Sequence, residues 1–157
     1  MQVILHNIRS IHNVGSIFRT ADAAGVEKIY LCGITPQPLD RFGAPLQQFV
    51  KVSLGAEKTV AWEFVKRTGD IINKLKKDGY KIVAIEQSEK SVPYYGSGIR
   101  NKELGKTVLI LGSEIKGLPP IIIEKCDNVL EIPMKGKKES LNVSVAFGIV
   151  VFNLTYE

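Results

Sequence analysis

Five short runs constrain this chain more than anything else in it: QVILHN at 2–7, KIYLCG at 28–33, YKIVAIE at 80–86, TVLILG at 107–112 and NVLEIP at 128–133. Most are nearly continuous in Val, Ile and Leu, without the in-and-out alternation of a strand that has one wet face. Strands buried on both faces read this way, and they belong to parallel sheets covered by helices on either side. The intervening segments fit that architecture. Residues 13–24, NVGSIFRTADAA, place Val14, Ile17, Phe18 and Ala21 at helical spacing, with Asn13 as the expected cap and Gly25 as the stop. Residues 35–57, rich in Pro, Gly and polar side chains, read as a long loop. Residues 59–77 read as an amphipathic helix with Phe64, Val65, Ile71, Ile72 and Leu75 inward and Gly79 ending it. Residues 88–105 read as irregular, a short helix is expected from Pro119, and a last helix from a Ser140 cap closes the chain. The expected fold is α/β, a parallel sheet with helices on both faces, in a single domain over 1–157. Ligands of such sheets bind beyond the carboxyl ends of the strands.

Several chemistries are disfavoured by what the strand ends lack. No G-x-G-x-x-G follows the first strand, no G-x-x-x-x-G-K-[ST] occurs anywhere, and there is no G-x-S-x-G. An ordinary dinucleotide site, a P-loop NTPase and an elbow-type hydrolase are therefore disfavoured. His6, His12, Cys32 and Cys126 show no metal-ligand spacing, so no metal is expected. Two distant cysteines suit buried thiols in a reducing cytoplasm better than a disulfide framework. MQVILHNIRS at the N-terminus does not read as an export leader and no apolar stretch reaches membrane-spanning length, so a cytoplasmic location is expected. A net charge of +5 and a pI of about 9.2 are compatible with an acidic partner such as nucleic acid.

Three segments are more polar than their positions require. In NIRSIHNVGSIFRTADAAGV (7–26), Asn13, Ser16, Arg19 and Thr20 lie opposite the apolar helix face. In LILGSEIKGLPP (109–120), a buried strand ends in Gly-Ser-Glu. In EIPMKGKKESLNVSVAFG (131–148), Ser140, Asn142 and Ser144 interrupt an apolar helix behind a basic loop. Taken singly, each has an ordinary explanation as a solvated face, a turn or a cap.

In order and spacing, the three segments together resemble the three motifs of the SpoU/TrmH family of RNA 2′-O-methyltransferases, which belong to the SPOUT class. The N-x-G-x-x-x-R core of the first motif is Asn13, Gly15 and Arg19. The G-x-E-x-x-G-[LI] core of the second is Gly112, Glu114, Gly117 and Leu118. The I-P-M…S-[LM]-N core of the third is Ile132, Pro133, Met134, Ser140, Leu141 and Asn142. The resemblance spans essentially the whole chain. It implies S-adenosylmethionine as cofactor, tRNA or rRNA as substrate, a homodimer, and a C-terminal trefoil knot, itself an exception to ordinary topology. By residue-for-residue carry-over, Ile85, Leu111, Gly112, Ile132, Met134, Ser140 and Leu141 would hold the cofactor. Asn13, Arg19, Glu114, Ser140 and Asn142 would form the catalytic set. Arg9, Arg41, Lys116, Lys135, Lys137 and Lys138 flank the motifs as expected phosphate contacts. The resemblance assigns Arg19 to activating the 2′-hydroxyl. A guanidinium stays protonated in nearly all proteins, so a phosphate clamp or stabiliser of developing negative charge is the physically safer role. A base-methylating enzyme of the same class, or a non-catalytic RNA-binding protein of the same fold, are the competing readings.

Overall fold

In the computed structural model, which describes residues 1–99 and 101–156, the five expected runs are strands of one sheet. They are β1 (Gln2–His6), β2 (Lys28–Cys32), β4 (Lys81–Ile85), β6 (Thr107–Leu111) and β7 (Asn128–Glu131), joined by β3 (Ala61–Val65) and the two-residue β5 (Val92–Pro93). The order across the sheet is β3-β2-β1-β6-β4-β7-β5, and every pairing is parallel. β6 lies at the centre, and all five of its residues are buried. Successive side chains of a strand point to opposite faces. Val3, Leu5, Ile29, Leu31, Leu109 and Leu111 accordingly join one core, while Ile4, Tyr30, Val108 and Ile110 join the other.

Helices cover both faces. On the first lie α1 (Ile11–Ala23), α2 (Gln47–Ser53), α3 (Ala56–Thr59) and α6 (Val143–Tyr156), burying among others Val14, Ile17, Phe18, Phe49, Phe147, Val150 and Leu154. On the second, α4 (Thr68–Lys77) and α5 (Pro120–Ile123) bury Ile71, Ile72, Leu75 and Ile122.

Four local expectations are corrected. The 35–57 segment is not one loop: α2 and α3 occupy its second half, because Phe49 is fully buried and meets Phe18 of α1 edge-on at 5.2 Å. The 59–77 segment is not one helix. Residues 61–65 form the edge strand β3, in register with β2 and tied to it by the Lys28–Glu63 ion pair at 2.7 Å. Phe64 is 41% exposed rather than inward. The apolar pairs 64/65 and 71/72 are seven residues apart, so they mimic a helical stripe across a strand-to-helix junction. Asn13 is not the cap of α1; Ser10 is, its hydroxyl accepting from the Asn13 N–H. Ser140 does not start α6. Asn142 does: its carbonyl accepts from the Ala146 N–H and its side chain from the Ser144 N–H, the pattern of an N-cap.

Candidate active site

A pocket of about 350 Å³ opens beyond the carboxyl ends of β4, β6 and β7. Four stretches line it: Ile85, which ends β4, with Glu86 and Gln87; Gly112 to Gly117 after β6; Leu130 and Glu131, which end β7, with Ile132 and Met134; and Ser140 and Leu141 with Val143 and Ala146 of the first turn of α6. Of the expected cofactor residues, six of seven line it: Ile85, Gly112, Ile132, Met134, Ser140 and Leu141. Leu111, expected to meet the cofactor through its backbone, is not among the lining residues; its side chain is fully buried in the core on the α1 and α6 face of the sheet.

The loop after β6 is tightly folded. Gly117 donates its N–H to the Ser113 carbonyl, and Lys116 donates to the Ser113 hydroxyl. A Cβ on Gly112 would lie 2.5 Å from the Gly117 carbonyl oxygen and closer still to the Gly117 carbonyl carbon and the Leu118 nitrogen. Glycine is needed here for the loop to fold onto its own strand end. From the other side the Glu86 carboxylate accepts from the Leu118 N–H at 2.8 Å and from the Gln87 N–H at 3.0 Å. It stands so close to Gly117, whose φ is +60, that a side chain there would meet it.

Glu114 joins this loop to the start of α1. Its carboxylate accepts from the Arg9 N–H at 3.0 Å, the Ser10 N–H at 3.1 Å and the Asn13 side-chain amide at 3.0 Å. The Asn13 amide oxygen accepts in turn from Asn142 Nδ2 at 3.0 Å. Asn142 Oδ1 then accepts from the Ser144 hydroxyl at 2.6 Å and the Ser144 N–H at 2.9 Å. Glu114, Asn13 and Asn142 thus form one chain of hydrogen bonds that leads away from the pocket: Glu114 lines it and Asn13 and Asn142 do not, and both amides use their oxygen as well as their nitrogen. Partial burial pushes the Glu114 carboxyl up. The Arg9 N–H, the Asn13 amide, its own N–H and the Ser10 N–H outweigh that and hold it below the usual carboxylate range.

A group with a lowered folded-state pKa contributes stability above its unfolded pKa and loses it as pH falls through the folded one. Glu114→Gln should therefore be less stable than the parent chain at about pH 7, and the gap should narrow on acidification to about pH 3. Urea midpoints at the two pH values check this; a constant gap would refute it.

The remaining expected residues are more dispersed. Lys116 lines the pocket. Arg9 is exposed beside Glu114, and Lys135, Lys137 and Lys138 are exposed on the 132–142 loop. Arg41 is elsewhere, on the loop after β2. Arg19 is exposed on α1 and does not line the pocket; at 1.5 Å per residue it stands about 9 Å along the helix from Asn13. Within one protomer the structure does not bring it to the other motif residues.

Among the pocket residues that escaped the sequence reading are three polar ones. Glu86 clamps the 112–118 loop. Gln87 donates through its side-chain amide to the Glu139 carbonyl at 2.7 Å, holding the basic loop across the pocket. Glu131 faces the pocket and accepts from the Ser91 hydroxyl at 2.8 Å. The position of Glu86 and Gln87, directly after a buried strand, was the available signal. Both cysteines are free thiols that burial pushes up to about 11. Among the described residues, no group of three or more His, Cys, Asp or Glu side chains could hold a metal ion. No helix among them is long and apolar enough to cross a membrane.

A chain from Staphylococcus saprophyticus described as a putative TrmH family tRNA/rRNA methyltransferase is 35% identical over 153 residues, covering 97% of this chain and 57% of that one. The tRNA (guanosine(18)-2′-O)-methyltransferase of Aquifex aeolicus is 34% identical over 154 residues, covering 96% and 66%. The chain thus spans less than two thirds of the length of either relative. Among solved structures, an AdoMet-bound rRNA methyltransferase from Sinorhizobium meliloti superimposes with a TM-score of 0.84 at 32% identity, covering 98% of this chain and 54% of that one. The A. aeolicus TrmH/SpoU tRNA modifying enzyme gives 0.81 at 32% identity, covering 98% and 72%. The sequence model of the SpoU rRNA Methylase family matches residues 1–152, a span that takes in the α1 segment, the Gly112–Leu118 loop and the 132–142 loop alike, and the chain belongs to that family.

Proposed function

We propose that this chain transfers a methyl group from S-adenosylmethionine to a ribose 2′-hydroxyl of tRNA or rRNA. The observation that carries the reading is the Glu114–Asn13–Asn142 chain of hydrogen bonds, which ties the first motif segment to the other two, both of which line one pocket. The relatives support it, since one solved neighbour carries AdoMet and one relative is named for 2′-O-methylation of a tRNA guanosine.

The pocket fits the cofactor. Its volume lies within the range of small-molecule sites. Ile85, Ile132, Met134 and Leu141 offer apolar walls for a purine, and Glu86, Glu114 and Glu131 face it with negative charge suited to a sulfonium and an ammonium. When bound, S-adenosylmethionine supplies the electrophilic methyl. The chain's own residues position the reacting groups, which is worth much of the rate. Glu114 fixes the start of α1, Asn13 and Asn142 lock the third motif against it, and Ser140 and Leu141 close the pocket. The lysines of the 132–142 loop, Lys116 and Arg9 meet RNA phosphates. Gln87 ties that loop across the segment after β4, which suits the expected C-terminal knot.

Arg19 lies outside the pocket of its own protomer. A homodimer resolves this by seating the partner subunit's Arg19 against the pocket, as a clamp on the phosphate or on the developing oxyanion. Exposed Val145, Phe152 and Tyr156 leave α6 with an apolar side suited to such pairing.

The test is methyl transfer from labelled cofactor to total tRNA and total rRNA, followed by alkaline hydrolysis. A 2′-O-methyl blocks cleavage at its linkage, so resistant dinucleotides carrying the label are expected. Label in mononucleotides would favour base methylation. Cofactor binding without transfer to either RNA would favour a non-catalytic RNA-binding protein.

A further inference from the structure

The loop after β2 carries a feature that the pocket does not use. Residues 38–46 close on themselves. The Leu46 N–H donates to the Pro38 carbonyl at 2.9 Å, the Asp40 N–H to the Ala44 carbonyl at 2.8 Å, and the Gly43 N–H to the Asp40 carbonyl at 3.0 Å. Inside the turn one oxygen of the Asp40 carboxylate accepts from both the Phe42 N–H, at 2.8 Å, and the Ala44 N–H, at 2.9 Å. An aspartate satisfying two turn amides is the usual way to stiffen such a tip. α2, which follows directly, anchors the loop to α1 through Phe49 and Phe18. At the tip Phe42 is 80% exposed, and the Arg41 guanidinium carbon lies 4.7 Å from its ring centroid.

Single exposed apolar side chains are common and need no explanation. This one differs because its backbone is held rigid and a cation covers its ring, leaving the ring with a fixed direction. A phenyl ring has no hydrogen-bonding group and can recognise a polar partner only by stacking. We propose that the Arg41–Phe42 tip is a stacking platform for an unpaired base of the RNA substrate, with Arg41 adding charge for the adjacent phosphate. Placement supports it. β2 and the pocket-bearing β6, β4 and β7 all end on the same edge of a parallel sheet. β2 and β4 are three strand spacings apart, about 14 Å, a distance a short unpaired stretch of RNA can span. Every base has a π face, so the platform selects unpaired structure rather than sequence.

The inference rests on the RNA-methylating reading, and the experiment separates the two. Binding of a stem-loop RNA carrying 2-aminopurine in its loop is followed by fluorescence, in parallel with methyl transfer and with calorimetry of S-adenosylmethionine. Phe42→Ala should weaken RNA binding by about 5- to 100-fold and abolish fluorescence quenching, with cofactor affinity unchanged. Phe42→Trp should restore both. Equal RNA affinity in Phe42→Ala and the parent chain overturns the platform alone. So does a change of oligomeric state in Phe42→Ala by light scattering, which would make the tip a contact between copies. A parent chain that binds cofactor yet neither binds nor methylates RNA overturns the functional reading as well.

Discussion

Gly112→Ala should abolish S-adenosylmethionine binding. The added Cβ would enter the backbone of Gly117 and Leu118, and backbone cannot rotate aside as a side-chain tip can. Glu86 closes the alternative, because its carboxylate already holds the Leu118 N–H from the opposite side. The 112–118 loop must therefore lift off its strand, taking Glu114 with it and breaking the three donors that Glu114 accepts from Arg9, Ser10 and Asn13. Overpacking of this kind costs about 3 kcal/mol, the upper part of its usual range. The same shift removes one whole wall of the pocket, so calorimetry should register no cofactor binding while circular dichroism still reports a folded protein. Gly69, with no atom within 4 Å of a built Cβ, makes the control: Gly69→Ala should bind as the parent does. Near-parental affinity in Gly112→Ala would mean that the loop is not the rigid wall described here.

The sheet was legible in the sequence because burial on both faces writes itself into single residues: TVLIL has no position at which a polar side chain could be solvated, and it is the central strand. Edge elements are less explicit. Ala61–Val65 has a single polar residue, Glu63, and no alternation to mark it as a strand, none of its residues is buried, and Phe64 and Val65 fall by coincidence at helical spacing with Ile71 and Ile72. α2 was missed because the feature that forms it, the meeting of Phe49 with Phe18, is tertiary. The site shows the same division. Its pocket walls follow from strand ends, which any parallel sheet supplies. The hydrogen bonds that organise it join residues 101 and 129 positions apart, and nothing local encodes such pairs; only the joint presence of three motif segments pointed to them. Ser140 and Asn142 illustrate the limit. Both are good caps by composition, and which one starts α6 was decided by the Asn13 amide that holds Asn142 in place.

Arg19→Ala should reduce methyl transfer by roughly 10²- to 10³-fold or more, the cost of removing a group that stabilises transition-state charge, while leaving cofactor affinity unchanged. The separation is expected because Arg19 does not line the pocket, and an exposed arginine on α1 can be truncated without disturbing Val14, Ile17 or Phe18 beneath it. Near-parental turnover would remove Arg19 from the mechanism. The same variant tests whether the arginine acts across the dimer. A pocket-filling substitution, Ser140→Trp, should block cofactor binding while leaving its own Arg19 intact. In a heterodimer of the two variants, action across the interface brings the intact Arg19 of the Ser140→Trp protomer to the open pocket of the Arg19→Ala protomer, and one working site reappears. Random assortment makes half of the dimers mixed, so an equimolar mixture after subunit exchange should recover about a quarter of parental activity. If the arginine served its own protomer, each half of the mixed dimer would lack one component, and mixing two inactive proteins would yield an inactive solution.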